Sequence, residues 1–314
     1  MEISKRKKRF VRDKSVQIQI TKRDIEILKL VFTHRLMTSD QIVALAGDNR
    51  KSILRRLYLM FHAGYLDRPK SQLVTFGNNS PMIYGIGNRG AEIIAGESHD
   101  SSILNINWTE KNNNCKSMFL EHTIMVSEFL TTIQLACRQV DGVEYIGAGE
   151  IINNRLIPAE DGADPLSWKV AGKTNRKFSF SIIPDGAFGL RFNENGKEKS
   201  YYYFLEADRA TMPVVRHNMF RSSIYKKMVG YTTSMNNKLF GKYFGFKKVF
   251  VLMVTLSETR VGNMIKLNRD IHPQSKGFRL FKFADNGVVS LENPQMILGM
   301  AWKSGRGESV NIIN

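Results

Sequence analysis

Tyr201-Tyr202-Tyr203-Phe204-Leu205-Glu206-Ala207-Asp208 sets an aromatic and apolar run directly before two carboxylates. A continuous apolar run of that length reads as a strand buried on both faces, as at the centre of an α/β sheet. A carboxylate ending such a strand is partly buried, and a buried charge demands a partner. Outward from it, Phe178–Phe192, which contains Pro184-Asp185-Gly186, reads as extended, as do Glu144–Ile152 and Lys248–Leu256. Met118 to Arg138 carries Leu120, Ile124, Val126, Phe129, Leu130, Ile133 and Leu135 as the apolar residues of a long helix. Pro213 to Met235 reads as a second helix. The order helix, strand, strand, strand, helix, strand predicts a mixed α/β domain with a central sheet over residues 117–314.

Asp185, Glu206 and Asp208 fall where strands end. Carboxylates at neighbouring strand ends can converge on one divalent cation, and Mg²⁺ favours such oxygen ligands plus water. Two plainer readings stay open: Asp185 makes a turn before Gly186, and Glu206 is neutralised by Arg209 or Lys227 without metal. The pattern resembles the PD-(D/E)-x-K nuclease superfamily, which shares the αβββαβ order of a restriction-endonuclease-like core. Two residues after Glu206, where that motif carries Lys, this chain has Asp208. The resemblance implies that the lysine has moved to the following helix, where Lys226-Lys227 stands. Lys227 and Tyr231 are one helical turn apart, so both can face the sheet. Asp185, Glu206, Asp208 and Lys227 are the catalytic residues so implied, with Asp185, Glu206 and Asp208 as ligands of a Mg²⁺ cofactor.

The amino-terminal part reads differently. Thr21 and Asp24 make a capping-box-like start to a helix bearing Ile25, Leu28, Leu30 and Val31. A short helix, Asp40 to Ala46, ends at Gly47. A third, Lys51 to Ala63, turns Ile53, Leu54, Leu57, Met60 and Phe61 inward and stops at Gly64. Tyr65-Leu66 opens an extended segment, Gly77 to Pro81 turns it, Met82 to Ile86 returns it, and a last helix starts near Asn88. Three helices followed by a hairpin is the winged-helix order, here over residues 21–96, and its third helix normally enters the major groove. Arg50, Lys51, Ser52, Arg55 and Arg56 lie toward the exposed, N-terminal side of that helix and suit phosphates and guanine edges. The plainer reading is a solvated surface. Residues 97–116 are polar and read as a linker.

The charge balance favours nucleic acid. The 314 residues carry 46 Lys+Arg against 29 Asp+Glu, a net +17. Residues 1–100 hold 18 basic and 10 acidic side chains, against 28 and 19 in the rest, so the first third is the more basic. Lys5, Arg6, Lys7, Lys8 and Arg9, with Arg12 and Lys14, predict a disordered basic arm over residues 1–20 that settles on phosphates. A solubilising tail or an anionic-membrane contact is the alternative. No apolar run is long enough to span a membrane, and the basic start lacks the apolar stretch of a secretory signal. Two cysteines, Cys115 and Cys137, fit neither a disulfide scaffold nor a Cys-based zinc site, so a reducing, cytoplasmic setting is expected. There is no Walker loop, no His pairing for zinc and no Gly-x-Ser-x-Gly elbow. Gly85-x-Gly87-x-x-Gly90 mimics a dinucleotide fingerprint by spacing alone, since it follows a hairpin strand.

The winged-helix pattern, Pro184-Asp185, Glu206-x-Asp208-Arg209-x-Thr211 and Lys227-x-x-x-Tyr231, in that order, resemble the replication-relaxation family of plasmids and other mobile elements. The resemblance spans about residues 20–260. It implies an α+β chain, a winged helix joined to a nuclease-like α/β domain, acting in plasmid replication, transfer or regulation. Double-stranded DNA is the partner it implies, with a homodimer and replication or transfer proteins as further ones. Asp208 in the motif lysine's place leaves three readings open: a DNA-binding protein whose nuclease-like domain is weak or inactive, a Mg²⁺-dependent endonuclease, and a protein-binding adaptor.

Overall fold

The computed structural model describes residues 9–77, 79–173, 177–194, 196–211, 214, 223–272, 279–299 and 301–313. The chain divides into two units, residues 1–131 and 132–314. Its fold is α+β, with a mixed seven-stranded sheet in the second unit.

In the first unit, helix Lys22–His34 starts at a reciprocal cap between Thr21 and Asp24. Strand β1 (Leu36–Thr38) leads into helix Ser39–Ala46, capped by Thr38 with Gln41 and closed by Gly47 in the left-handed region. Asn49 caps helix Arg50–His62. Strands β2 (Leu66–Asp67) and β3 (Ile83–Ile86) then complete an antiparallel sheet in the order β1-β3-β2. Helix Asn88–Ser98 follows. Leu28, Val31, Leu36, Ile42, Ile53, Leu57, Met60, Leu66 and Ile86 are fully buried and form the core. The three helices match the sequence pattern; β1 is an addition, placed where the helical pattern simply broke, and the segment expected to run extended from Tyr65 keeps only the two residues of β2 before a short helix, Gln72–Thr75. Gly87 and Gly90 admit a close approach rather than a phosphate. A Cβ on Gly87 would stand 2.4 Å from the Gly64 carbonyl oxygen, and one on Gly90 would stand 2.2 Å from that of Tyr65.

Two boundaries differ from expectation. Residues 97–116 are no linker: they carry a 3₁₀ turn, Ser101–Asn105, and helix Trp108–Asn113. Buried Asn112 donates to Asp67 Oδ2 (3.0 Å) and to the Ile86 carbonyl (2.7 Å), and accepts from Arg35 (2.6 Å). Residues 9–20, expected within a disordered arm, are anchored. Arg12 pairs with Asp67 and donates to the carbonyls of Phe61 (3.0 Å) and Leu66 (3.1 Å), while Asp13 N donates to His62 Nδ1 (2.7 Å). Lys5, Arg6, Lys7 and Lys8 lie outside the described residues.

The sheet of the second unit has the order β12-β11-β10-β9-β8-β7-β4. At its centre β8 (Lys197–Asp208) runs antiparallel to β7 (Gly186–Glu194) and parallel to β9 (Val249–Thr255). Strand β10 (Phe281–Asp285) continues the parallel run, and β11 (Trp302–Ser304), β12 (Ser309–Val310) and β4 (Val143–Ile146) supply the remainder. Tyr203, Phe204 and Leu205 are buried, as the apolar run requires.

The expected strand over residues 178–192 is two. Pro184, which lacks an N–H for a ladder, falls between β6 (Lys177–Ile182) and β7, and β6 pairs with β5 (Trp168–Lys173) in a separate hairpin. The expected strand over residues 144–152 stops at Ile146, and helix Ala148–Asn153 follows. The long helix expected from Pro213 begins, within the described residues, at Ile224 behind a Ser223 cap and runs to Asn236. No described helix is long and apolar enough to cross a membrane.

Candidate functional site

The acids at the strand ends sort into two ion-paired sets. Asp185 immediately precedes β7 and is sewn to β8 by backbone geometry. Its N–H donates to the Leu205 carbonyl (3.0 Å), and its Oδ2 accepts from Ala207 N (2.8 Å). Between those two anchor points lies Glu206, only 1% exposed. Lys227 Nζ donates to Glu206 Oε2 and stands 3.5 Å from Asp185 Oδ2. Tyr231, fully buried one turn along helix Ile224–Asn236, donates its hydroxyl to Glu206 Oε1 at 2.5 Å. The Lys227–Tyr231 spacing read from the sequence thus brings both side chains onto one carboxylate.

Burial governs the electrostatics here. It pushes the Glu206 carboxyl up to about 7; Lys227 opposes the rise and Asp185, a like charge, adds to it. Burial alone would lower Lys227, but the two carboxylates outweigh it and hold the ammonium charged. Tyr231 is raised well above its ordinary range by burial and by the Glu206 charge.

Asp208 faces the same side of β8 as Glu206, two residues on, yet has its own partners. Thr255 Oγ1, directly across on β9, donates to Oδ2 at 3.0 Å; Arg260 Nη2 donates to Oδ1 at 3.0 Å and Arg260 Nε to Oδ2. Sequence reading missed both partners. The one signal was local: Ser257 caps helix Glu258–Ile271, which puts Arg260 in its first turn.

These residues do not fit the Mg²⁺ site expected from the sequence. Lys227 already supplies the cation shared by Asp185 and Glu206, and a bidentate arginine claims Asp208. Among the described residues no group of three or more His, Cys, Asp or Glu side chains is arranged to hold a metal ion. The expected three-acid ligand set is therefore corrected to two ion pairs.

The second candidate surface lies on helix Arg50–His62. Lys51 and Arg55 are exposed and make no ion pair among the described residues. Arg50 pairs with Asp40 at 2.7 Å while remaining 57% exposed, and Ser52 Oγ accepts from Arg23 at 3.2 Å. Arg56 corrects the sequence reading. It donates from Nε to Asp24 Oδ1 (2.9 Å) and from Nη2 to Oδ2 (2.5 Å), with its side chain 19% exposed. Its position, three after buried Ile53 and four before buried Met60, puts it at the border of the apolar stripe. A groove of about 600 Å³ beside this helix is lined by Arg9, Arg50, Tyr58, Arg68 and the hairpin residues Ser80 to Tyr84 except Ile83. Arg68 is buried in it with its guanidinium 4.1 Å from the Phe61 ring and 5.2 Å from the Tyr84 ring, and burial lowers its pKa.

Comparison with curated proteins and with solved structures finds no match. The sequence model of one family, replication-relaxation, matches residues 28–249, a stretch that runs from the core of helix Lys22–His34 to the first residue of β9 and holds Lys51, Arg55, Asp185, Glu206, Asp208 and Lys227. The chain belongs to the replication-relaxation family.

Proposed function

We propose that this protein binds double-stranded DNA through its first unit and serves the replication, transfer or regulation of a plasmid or another mobile element, with a second unit that does not cut. The observation that carries the reading is the division of labour on helix Arg50–His62. Arg56 is committed to Asp24, whereas Lys51 and Arg55 on the same helix present free cationic ends to solvent. The order helix, strand, two helices, strand, strand, with one short helix, Gln72–Thr75, between the last two strands, is read as that of a winged helix, in which helix Arg50–His62 lies in the major groove. Arg55 then reads a base edge, Lys51 and Arg50 contact phosphates, and Arg9 with the hairpin flanks the backbone. The net charge of +17 supplies the salt-dependent attraction.

The non-catalytic assignment of the second unit rests on Lys227 and Arg260, which neutralise the acids a nuclease would offer to a cation. Binding of a randomised duplex library, followed by fluorescence anisotropy on the selected site, tests the reading. Arg55→Ala should weaken the selected site and leave non-specific duplex nearly unchanged. Equal loss on both sequences, or none on either, removes Arg55 from base recognition. Supercoiled plasmid incubated with Mg²⁺ should stay intact; nicking by the wild type that vanishes in Glu206→Gln would replace this reading with that of an endonuclease.

A further inference from the structure

The groove beside helix Arg50–His62 holds a cation whose charge nothing among the described residues answers. Arg68 is 8% exposed and is the one buried arginine among those residues. Its Nη1 donates to the Arg9 carbonyl at 2.7 Å and its Nη2 to the Tyr84 hydroxyl at 3.1 Å, both neutral acceptors. Its Nε, also buried, has no acceptor among the described residues. Arg12, Arg23, Arg50 and Arg56 are all more exposed than Arg68, yet each is paired with an aspartate. A buried charge is normally paired, and the rings of Phe61 and Tyr84 beside Arg68 attract it without supplying a counter-charge.

The surroundings define what would answer that charge. Arg50, Leu54, Tyr58 and His62, four residues apart, line the groove from one stripe of the helix. Among the described residues the one carboxylate in the lining, Asp40, is held by Arg50. Arg9 and Arg50 are exposed, so the groove collects three guanidinium groups against one engaged acid. Such a site fits a compact anion with more than one oxygen, because a guanidinium presents its donors as a planar fork. Tyr58 packs against the His62 ring at 4.3 Å and remains 49% exposed, which leaves apolar ring surface open to a sugar. A phosphodiester linkage has both parts: two free oxygens on phosphorus and a deoxyribose on each side. Lys51 and Arg55 follow Arg50 and Leu54 by one residue, about 100° round the helix, so a backbone lying in the groove keeps its bases beside them.

We propose that Arg68 is the buried floor of a phosphate site, and that a backbone phosphate of the duplex occupies it. The inference rests on the reading of helix Arg50–His62 as the DNA-binding element and adds the contact that fixes the duplex along the groove. Arg9 and Arg50 flank the phosphate at the rim. Arg68 is already oriented by the Tyr84 hydroxyl and the neighbouring rings, so little side-chain freedom is lost when the phosphate arrives.

The test uses the full chain, the selected duplex, and copies of it in which one phosphate at a time is replaced by an uncharged methylphosphonate. At one position this replacement should weaken wild-type binding at least tenfold. Arg68→Gln should bind the natural duplex at least tenfold more weakly, with a salt slope flatter by about 0.9 for the one phosphate no longer neutralised. The methylphosphonate that harms the wild type should then cost this variant less than twofold, because that phosphate has already lost its cation. If every methylphosphonate costs the variant as much as the wild type, Arg68 meets no phosphate and the proposal falls. A second measurement needs no variant that could unfold. The Arg68 Nε–H resonance of the wild type should move when natural duplex is added and stay when the neutral linkage stands at that position. A resonance unmoved by natural duplex, or moved by inorganic phosphate and not by duplex, overturns the assignment. Absence of coupling at Arg68 while Arg55→Ala still reduces sequence discrimination sinks this inference and leaves the duplex reading standing. No duplex binding by the wild type sinks both.

Discussion

Asp24 in the first unit and Glu206 in the second are both buried carboxylates paired with a cation, yet burial has opposite consequences at the two. Asp24 accepts from Thr21 N (2.8 Å), Thr21 Oγ1 (2.7 Å) and both Arg56 nitrogens. Burial alone would raise its pKa; Arg56 and Thr21 outweigh burial and hold it below the ordinary value of 3.8. Glu206 accepts from Lys227 and Tyr231 and has Asp185 close by, so burial wins and the carboxyl rises. A carboxylate saturated with donors is scaffold. One that shares its lysine with a second acid is a place where charge has been concentrated.

The contrast is broken most forcefully in the first unit. Asp24→Ala leaves Arg56 without its carboxylate and removes the reciprocal cap on helix Lys22–His34; denaturant unfolding should register a loss of about 3–5 kcal/mol. Arg260→Ala should act in the same way on Asp208, which would lose a bidentate partner and keep the Thr255 hydroxyl as a donor. A loss under about 1 kcal/mol in either variant would show that these pairs are not the buried clamps described.

The pH dependence sharpens the difference in sign. Glu206 is raised from 4.5 to about 7, so the folded state binds its proton more tightly than the unfolded chain. Its contribution is full below pH 4.5 and fades as pH rises through about 7, by up to about 3 kcal/mol. Asp24 runs the other way: its contribution is present above pH 3.8 and is lost as the solution becomes more acid. Buried His34, lowered to about 4, slopes the other way over part of this window, so the difference between variant and wild type is the test. The stability of Glu206→Gln relative to wild type should rise by up to about 3 kcal/mol as pH goes from 4.5 to 7; a difference that stays constant across that window would contradict the assignment. The smallest effect belongs to the surface: Asp40→Asn, which breaks an exposed pair with Arg50, should change stability by less than about 1 kcal/mol.

Much of this was legible in the sequence because it is local. The Tyr201–Asp208 run declares a buried strand, and the four-residue spacing of Lys227 and Tyr231 places both on the sheet-facing side of one helix. Thr21, the pair Thr38-Ser39 and the pair Asp48-Asn49 mark helix starts within a residue or two, and the structure selects Thr38 and Asn49 from the two pairs. What escaped is set by long-range pairing. Asp208 and Arg260 are 52 residues apart, as Asp24 and Arg56 are 32 apart, and no local pattern joins them. Trp108 and Asn112 fold a stretch whose composition is polar, because one buried amide satisfies three partners there. The β5–β6 hairpin was hidden because Phe178, Phe180 and Ile182 alternate as any half-buried strand does, and only Pro184 marks where the strand ends.

The assignment of helix Arg50–His62 as the DNA-reading element is tested most directly by one pair of variants measured on the selected duplex. Arg55→Ala should cost roughly 1–3 kcal/mol of binding with no change in thermal stability. Arg56→Ala should lower thermal stability, and the fraction that remains folded should bind with wild-type affinity. The reverse outcome, Arg56→Ala impairing binding by a folded protein while Arg55→Ala does not, would contradict the account.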